Sequence, residues 1–229
     1  MAETLAALVP MKGHSERVPD KNVREFNGRP LFHWMLNTLS ATSVVDEIVV
    51  DTDSTRIAEE ARDLFDATVI DRPERLRGGT VPMNDIILHD VGQVDHDQFL
   101  QTHCTNPLLR SETITEAVGR YRESEADSLF SVTKLRTRLW NEECEPVNHV
   151  RDELQRTQDL PPLYEENSNI YLFTQASVER RENRIGDDPM MFEVPASEAV
   201  DIDEPIDFRL AEFLHHDAYG EHPSLEEAI

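Results

Sequence analysis

The feature that most constrains this fold is a regular alternation of short apolar segments with amphipathic ones. Apolar segments occupy residues 5–10, 47–50, 67–70, 99–102 and 128–133. Between them, apolar residues recur with helical spacing at 30–41, 55–65, 83–94 and 111–123. Strands that alternate with helices predict an α/β fold with a mainly parallel, twisted sheet flanked by helices.

Such a sheet also predicts where ligands bind. Right-handed crossovers place the carboxyl ends of parallel strands along one edge, and ligands of open α/β sheets bind at that edge. We therefore expect the loops that begin at Met11, Thr52, Arg72 and Thr102 to converge.

Residues 135–169 break the alternation. They include Trp140, Tyr164 and three prolines, and their apolar residues have no helical period. The segment is too long for an ordinary connection, which leaves a functional excursion or a disordered stretch. Its aromatic residues favour packing, on a second subunit for example. Beyond it we expect strands at 170–174 and 199–202 and a last helix near 208–214. Residues 1–229 are interpreted as one domain with this excursion.

Charge separates the classes of possible partner. The chain has 46 acidic residues against 22 basic ones, a formal net charge of −24, so a nucleic-acid-binding surface is not expected. Lysine is confined to Lys12, Lys21 and Lys134. Excess acid with little lysine is typical of proteins from salt-accumulating halophiles, although an ordinary acidic protein is the alternative. Two of the three lysines lie in the first loop, where we expect them to contact an anion.

The sequence favours a cytoplasmic protein that has no membrane partner. No apolar run reaches the 18 residues of a membrane-spanning helix. The first ten residues have no basic segment typical of a signal peptide. Cys104 and Cys144 are too few for a disulfide framework and lack metal-ligand spacing.

Residues 8–22, LVPMKGHSERVPDKN, resemble the first loop of the acylneuraminate cytidylyltransferases. That family shows a strand followed by Pro-Ala-Arg-Gly-Gly-Ser-Lys-Gly-Ile-Pro-x-Lys-Asn. Lys12 stands at the family's arginine, Glu16 at its lysine and Arg17 at its next glycine. The identical positions are Pro10, Gly13, Ser15, Pro19, Lys21 and Asn22.

Further motifs follow in the family's order and extend the resemblance over most of residues 4–214. They are Asp51-Thr52-Asp53, Arg72-Pro73, Leu100-Gln101, the stretch ENSNIY at 166–171, and Asp201-Ile202-Asp203. His103-Cys104 is extra length within the fourth-strand motif. Neither a Walker A sequence nor Gly-x-Gly-x-x-Gly occurs.

The resemblance implies a Rossmann-like nucleotidyltransferase that uses CTP and Mg²⁺. The reaction would transfer a cytidylyl group to the anomeric hydroxyl of a sialic-acid-type, nine-carbon keto sugar acid and release pyrophosphate. One alternative substrate is the eight-carbon acid 3-deoxy-manno-octulosonate. Another alternative is a non-catalytic homologue that binds nucleotide, with its loop damaged by Glu16.

The first loop is expected to hold the triphosphate, because it offers backbone N–H groups together with three cations. Of these cations, Lys21 is predicted to be catalytic. A solvated basic loop is the alternative interpretation. The predicted nucleotide-binding residues are Pro10, Met11, Lys12, Ser15, Arg17, Asn22 and Arg72.

Asp201 and Asp203 are the predicted catalytic metal ligands. On an extended segment, residues i and i+2 project from one face while Ile202 packs on the other. Two adjacent carboxylates repel unless a cation joins them, and oxygen ligands suit Mg²⁺. Asp53 is a weaker candidate, and a merely solubilising pair is the alternative.

The resemblance implies that Gln101, Asn167 and Tyr171 line the sugar pocket. The carboxylate of the acid needs a fixed cation, for which Lys134 and Arg156 are the candidates. In the family the segment corresponding to 135–169 forms a dimerisation protrusion that reaches the partner's pocket. We therefore expect a homodimer in which one of these cations acts in trans.

Overall fold

The computed structural model describes residues 3–15 and 17–219, so Glu16 and its effect on a triphosphate lie outside the described residues. Within this part of the chain, no helix is long and apolar enough to cross a membrane. The helices are α1 (Leu31–Ser40), α2 (Thr55–Phe65), α3 (Met83–Asp90), α4 (Ser111–Arg122), α5 (Gln175–Arg181) and α6 (Pro205–Tyr219). The strands are β1 (Leu5–Met11), β2 (Glu25–Phe26), β3 (Arg29–Pro30), β4 (Glu47–Thr52), β5 (Thr68–Asp71), β6 (Gln98–Gln101), β7 (Ser128–Leu135), β8 (Leu163–Phe173) and β9 (Pro189–Glu193).

The main sheet has the strand order β5-β4-β1-β6-β8-β7-β9. Strand β8 pairs antiparallel with β6 and β7, and the other pairings within the described sheet are parallel. The predicted mainly parallel sheet is therefore confirmed. The chain runs outward from β1 through β4 to β5 and then returns to place β6 on the other side of β1. This reversal makes the carboxyl ends of β1 and β6 the topological switch point at which such sheets bind ligands.

Strand β1 shows how the sequence builds a two-sided core. Leu5, Val9 and Met11 pack into the cluster on one face, whereas Ala6 and Leu8 pack into the cluster on the other. All of β1 is buried, which explains its continuous apolar run. Burial on both faces fixes the register of β1 in the sheet. It therefore also fixes the position at which the first loop begins.

Helix α1 is more buried than its sequence predicts. The helical spacing of apolar residues at 31, 34, 35 and 39 predicts one buried stripe, yet Leu36 and Phe32 outside it are also fully buried. The helix packs on two sides: Phe32 and Leu36 join Met35 and Leu39 in the core cluster on one face of the sheet, whereas Leu31 and Trp34 belong to a third apolar cluster with Ile202 and residues of α6. Helix α1 is therefore packed between the sheet and the segment that carries the predicted metal ligands.

The irregular segment is shorter than predicted. Strand β8 begins at Leu163 instead of residue 170, because residues 163–166 pair with 132–135 of β7. The excursion between the two strands therefore comprises 136–162. Its secondary structure is limited to one bridge between Trp140 and Pro146 and a single 3-10 turn at Thr157–Asp159.

The strand expected at 199–202 is wrong, since these residues belong to no sheet. Ile202 N donates to Thr105 O at 2.9 Å, which anchors the segment without forming a ladder. The sequence analysis missed α5 and β9. Helix α5 has only seven residues, held by a capping box between Thr174 and Ser177, and β9 is a five-residue edge strand that begins with proline. Both elements are too short to show a clear periodicity.

Candidate active site

A cleft of about 500 Å³ opens beside the carboxyl ends of β1 and β6. Its walls come from the loops after β1, β5 and β6 and from the segment before α6. The predicted convergence of these loops is thus observed, and the loop after β4 supports the first loop from behind. The cleft brings together nine of the predicted residues: Pro10, Lys12, Ser15, Arg17, Lys21, Asn22, Arg72, Asp201 and Asp203.

Close packing against the end of β4 shapes the first loop. Gly13 N donates to Asp53 Oδ1 at 2.6 Å. A Cβ atom at residue 13 would lie 2.9 Å from the Ser54 Cβ, closer than real Cβ atoms approach. Glycine is therefore required here by a close approach of two backbones. Asp53 holds this loop and does not line the cleft.

Asn22 closes the same loop at its far end. Its side-chain Nδ2 donates to Lys12 O at 2.8 Å, and its Oδ1 accepts from Cys104 Sγ at 3.3 Å. The side chain is buried and lines the cleft. Asn22 thus fixes the position of Lys12 and links the first loop to the loop after β6.

The first loop and the acidic segment are in direct contact, although Lys21 and Ile202 are 181 residues apart in sequence. Lys21 Nζ donates to the Ile202 carbonyl oxygen and lies 3.7 Å from Asp203 Oδ1. Arg17 Nη2 donates to the same Asp203 oxygen at 2.8 Å. The Lys21 side chain is only 13% exposed, so its ammonium group is held in one position.

Asp201 has the properties of a metal ligand. Burial raises the pKa of its carboxyl, and the charge of Asp203 adds to the shift, whereas a hydrogen bond from Thr105 and the charge of Lys21 oppose it. Its Oδ1 is buried and has no hydrogen-bond partner among the described residues. Ile202 packs away from the cleft, as predicted, so both carboxylates line it.

The two carboxylates and the orphaned oxygen fit a divalent cation of the Mg²⁺ type. Such an ion takes one or two carboxylates and completes its octahedron with substrate phosphates and water. The described residues contain no cluster of three or more His, Cys, Asp or Glu side chains able to hold a metal. A two-carboxylate site that is completed by substrate is consistent with that finding.

Arg72 forms a fixed cationic wall of the cleft. The side chain is 2% exposed, and its Nε donates to Asp51 Oδ2 at 3.0 Å. Burial raises the pKa of Asp51, against the charge of Arg72. Behind this pair, burial and the charge of Asp51 raise the pKa of Asp90 to about 8. A protonated Asp90 can donate to Asp51, so one carboxylate charge remains to balance Arg72.

The other cleft-lining residues of the connection between β5 and α3 were missed by the sequence analysis. They lie in this connection, where a glycine pair follows Arg77, and at the start of α3. That pair, in a loop at the binding edge, was the available signal. The residues are Gly78, Gly79, Val81, Met83 and Ile86.

The cleft-lining residues next to β6 and β8 were also missed, although the sequence analysis had identified His103 and Cys104 as extra residues within the fourth-strand motif. Burial, with the charges of Arg184 and Lys21, lowers the pKa of His103 far below its ordinary value. Burial raises the pKa of Cys104 to about 12, so this thiol stays protonated and is not a nucleophile. Thr105 and Ser168 complete this side of the cleft.

Several predicted residues lie behind or beside the cleft instead of lining it. Met11 is part of the core. Gln101 and Tyr171 are buried next to each other, and both contact Arg184. Asn167 faces β7, where its Oδ1 accepts from Ser131 Oγ at 2.5 Å and its Nδ2 donates to Thr133 Oγ1 at 2.9 Å.

The two candidate cations for the sugar carboxylate lie outside this cleft in the same chain. Lys134 Nζ is 3.5 Å from Glu193 Oε2 on the neighbouring strand β9. Arg156 lies in the excursion, pairs with Asp159 at 2.6 Å and is 73% exposed. Neither is among the residues that line the cleft.

Comparison with known proteins agrees with this geometry. The chain is 30% identical over 231 residues to CMP-N,N'-diacetyllegionaminic acid synthase of Legionella pneumophila, a match that covers 92% of this chain and 95% of the relative. It is 28% identical over 216 residues to N-acylneuraminate cytidylyltransferase A of Danio rerio, covering 91% of this chain but 50% of that longer protein.

A solved structure shows the same fold. CMP:2-keto-3-deoxy-manno-octonic acid synthetase, complexed with CTP, matches with a TM-score of 0.71 at 15% identity, covering 94% of this chain and 99% of the other. The family model for cytidylyltransferases matches residues 6–218, which include the first loop, the buried Arg72 and the Asp201–Asp203 pair. The chain therefore belongs to the cytidylyltransferase family.

Proposed function

We propose that this protein transfers the cytidylyl group of CTP to the anomeric hydroxyl of a sialic-acid-type, nine-carbon keto sugar acid. The hydroxyl oxygen attacks the α-phosphorus and loses its proton to solvent, the bond from that phosphorus to the oxygen bridging to the β-phosphorus breaks, and pyrophosphate leaves. The observation that carries the proposal is the contact of Lys21 and Arg17 with the Asp201–Asp203 segment within one cleft. The Legionella and Danio relatives support this class of sugar.

The residues of the cleft divide the work of phosphoryl transfer. Catalysis of this kind depends on positioning and on stabilising charge at phosphoryl oxygens. Lys21 and Arg72 offer fixed positive charge and Lys12 an exposed one, and Arg17 can exchange Asp203 for a phosphate oxygen because their ion pair is exposed. The carbonyl of Ile202 orients Lys21.

The Asp201–Asp203 pair is proposed to bind the metal. Cytidylyltransferases generally use a divalent metal ion. Bound to Asp201 and Asp203, Mg²⁺ would polarise phosphate oxygens and neutralise the departing pyrophosphate. The orphaned Oδ1 of Asp201 supports this assignment.

The experiment is an assay of pyrophosphate release with each of the four nucleoside triphosphates and a panel of acids. The panel contains N-acetylneuraminate, N,N'-diacetyllegionaminate, pseudaminate and 3-deoxy-manno-octulosonate. We expect release with CTP and a nine-carbon acid only. Activity confined to the eight-carbon acid would replace the proposed substrate, and CTP binding without release from any acid would indicate a non-catalytic homologue.

We also propose a cytoplasmic homodimer that is adapted to high salt. The excursion at 136–162 exposes Trp140, Val147, Val150 and Leu154, the last to 93%, which is an apolar surface suited to a second copy. Light scattering should give twice the mass of 26.3 kDa. The net charge of −24 predicts that the melting temperature rises steeply between 0.2 and 3 M KCl, since salt screens self-repulsion. A monomer, or stability indifferent to salt, would contradict these two proposals.

A further inference from the structure

Arg184 is a functional candidate that neither the sequence motifs nor the charge pattern indicated. It lies in the connection between α5 and β9, and its backbone N donates to Asn84 Oδ1 of α3 at 3.3 Å. That helix forms part of the cleft wall through Met83 and Ile86. The guanidinium carbon lies 3.6 Å from the centroid of the Tyr171 ring. Arg184 is thus held between the cleft wall and the two buried residues that the resemblance assigned to the sugar.

The charge of Arg184 is incompletely balanced. Its side chain is 17% exposed, and its nearest carboxylate oxygen, Glu166 Oε1, is 4.0 Å away. That oxygen already accepts from the Tyr171 hydroxyl at 2.6 Å. Among the described residues, Gln101 Oε1 is the sole hydrogen-bond acceptor of the guanidinium, at 2.6 Å from Nη1. An arginine stays charged when it is withdrawn from water, so its remaining N–H donors favour an anion.

A hydrogen-bond chain joins Arg184 to the cleft. Arg184 Nη1 fixes the orientation of the Gln101 amide by donating to its oxygen, so Gln101 Nε2 points to His103 Nε2 at 2.8 Å. His103 lines the cleft and is neutral, since its pKa is far below the ordinary value. Its Nε2 therefore accepts, and its proton is on Nδ1. Arg184 itself is not among the residues that line the cleft, but its 17% exposed side chain lies 4.0 Å from Glu166, two residues before the cleft's Ser168 on β8.

We propose that Arg184 binds the carboxylate of the keto sugar acid in its own subunit and selects acids over neutral sugars. This inference rests on the proposed function. The free edge of the guanidinium offers the paired donors that a carboxylate accepts, and Gln101 with Tyr171 holds that edge in one orientation. It differs from the assignment of Lys134 or Arg156, because no partner subunit is needed.

The test measures binding without turnover. N-acetylneuraminate or N,N'-diacetyllegionaminate, and the methyl ester of each, are titrated calorimetrically into the protein. The protein is first saturated with Mg²⁺ and α,β-methylene-CTP, an analogue that cannot release pyrophosphate. Arg184→Gln should weaken binding of the acid about 10- to 100-fold, the value of a charged hydrogen-bonded contact, and leave the ester nearly unchanged. Glu166→Gln is the matched control: it removes a neighbouring negative charge and should leave acid binding equal or tighter.

Each failure has its own signature. If the wild type binds the acid and the affinity of Arg184→Gln for the acid is within twofold of the wild-type value, the inference is wrong. If Arg184→Gln loses as much affinity for the ester as for the acid, Arg184 is a packing residue and the inference is also wrong. If the Gln variant does not fold, wild type alone decides: an ester that binds as tightly as the acid overturns the inference. If wild type with the nucleotide analogue binds no keto sugar acid, the proposed function fails instead.

Discussion

The two halves of the cleft are built differently. In the half proposed to bind the nucleotide (the nucleotide half), residues from one continuous loop and one short acidic segment line the wall directly and contact each other. Of the residues proposed for the sugar (the sugar half), Gln101 and Tyr171 are buried behind His103, and Lys134 and Arg156 lie outside the cleft of their own chain. A triphosphate can be bound by the backbone N–H groups and cations of one short segment, so a sequence motif can reveal such a site. The sugar half depends on packing between distant elements.

The largest effect is expected from Asp203→Asn. If Asp203 binds the metal as proposed, loss of its charge should lower kcat about 10²- to 10³-fold, because stabilisation of charge on phosphoryl oxygens is worth several kcal/mol. The melting temperature should change little, since Asp203 is half-exposed. Steady-state kinetics with pyrophosphate detection gives the measurement. Glu204→Gln, next to it and 3.8 Å from Arg17, is the control and should keep its activity; similar losses in both variants would remove Asp203 from the chemistry.

A smaller effect is expected from Gly13→Ala. The added Cβ would approach Ser54 to 2.9 Å and push the first loop away from β4. We expect the KM for CTP to rise about tenfold and the free energy of unfolding to fall by about 1–3 kcal/mol, the usual result of overpacking. Gly119→Ala is the matched control, since nothing lies within 4 Å of its Cβ position. An unchanged KM for CTP would show that this packing does not position the triphosphate.

Lys134→Ala tests whether this lysine contributes to sugar binding and not to CTP binding. If this lysine serves the partner's sugar pocket, the KM for the sugar acid should rise about fivefold to tenfold while the KM for CTP stays constant. Stability should change by less than about 0.5 kcal/mol, because its ion pair with Glu193 is on the surface. Glu193→Gln, which removes the ion pair but keeps the cation, is the control. An effect on CTP alone would place Lys134 in the other half.

The smallest effect on activity is expected from Asp90, which lies behind the nucleotide half and instead alters the pH dependence of stability. Folding raises the pKa of the Asp90 carboxyl from 3.8 to about 8. At pH values between these two, the folded protein therefore binds one proton more than the unfolded chain. The free energy of unfolding therefore falls as pH increases from about 4 to about 8. Asp90→Asn should flatten this profile and gain on the order of 1–2 kcal/mol near pH 8. Urea unfolding across this range gives the measurement, with Asp85→Asn as an exposed control on α3; an unchanged slope would show that Asp90 is ionised in the fold.

The sequence predicted most of the fold because strands buried on both faces, such as β1, appear as continuous apolar runs. It failed at β9 and α5, where five or seven residues show too little periodicity. In the site, Lys21 and Asp203 were predictable from local motifs. Arg184 was not, because its role arises from contacts with Gln101 and Tyr171 that only the folded sheet creates. Gly78 and Gly79 stand out in the sequence as a glycine pair, but glycine has no side-chain group that would have indicated a binding site.

The central claim is that the first loop and the Asp201–Asp203 pair meet around a single metal-bound CTP. Titration with Mn²⁺, followed by electron paramagnetic resonance with and without CTP, tests it most directly. We predict weak Mn²⁺ binding that CTP strengthens at least tenfold in the wild type, and loss of that coupling in both Asp201→Asn and Lys21→Ala. Coupling that survives in both variants would contradict the account.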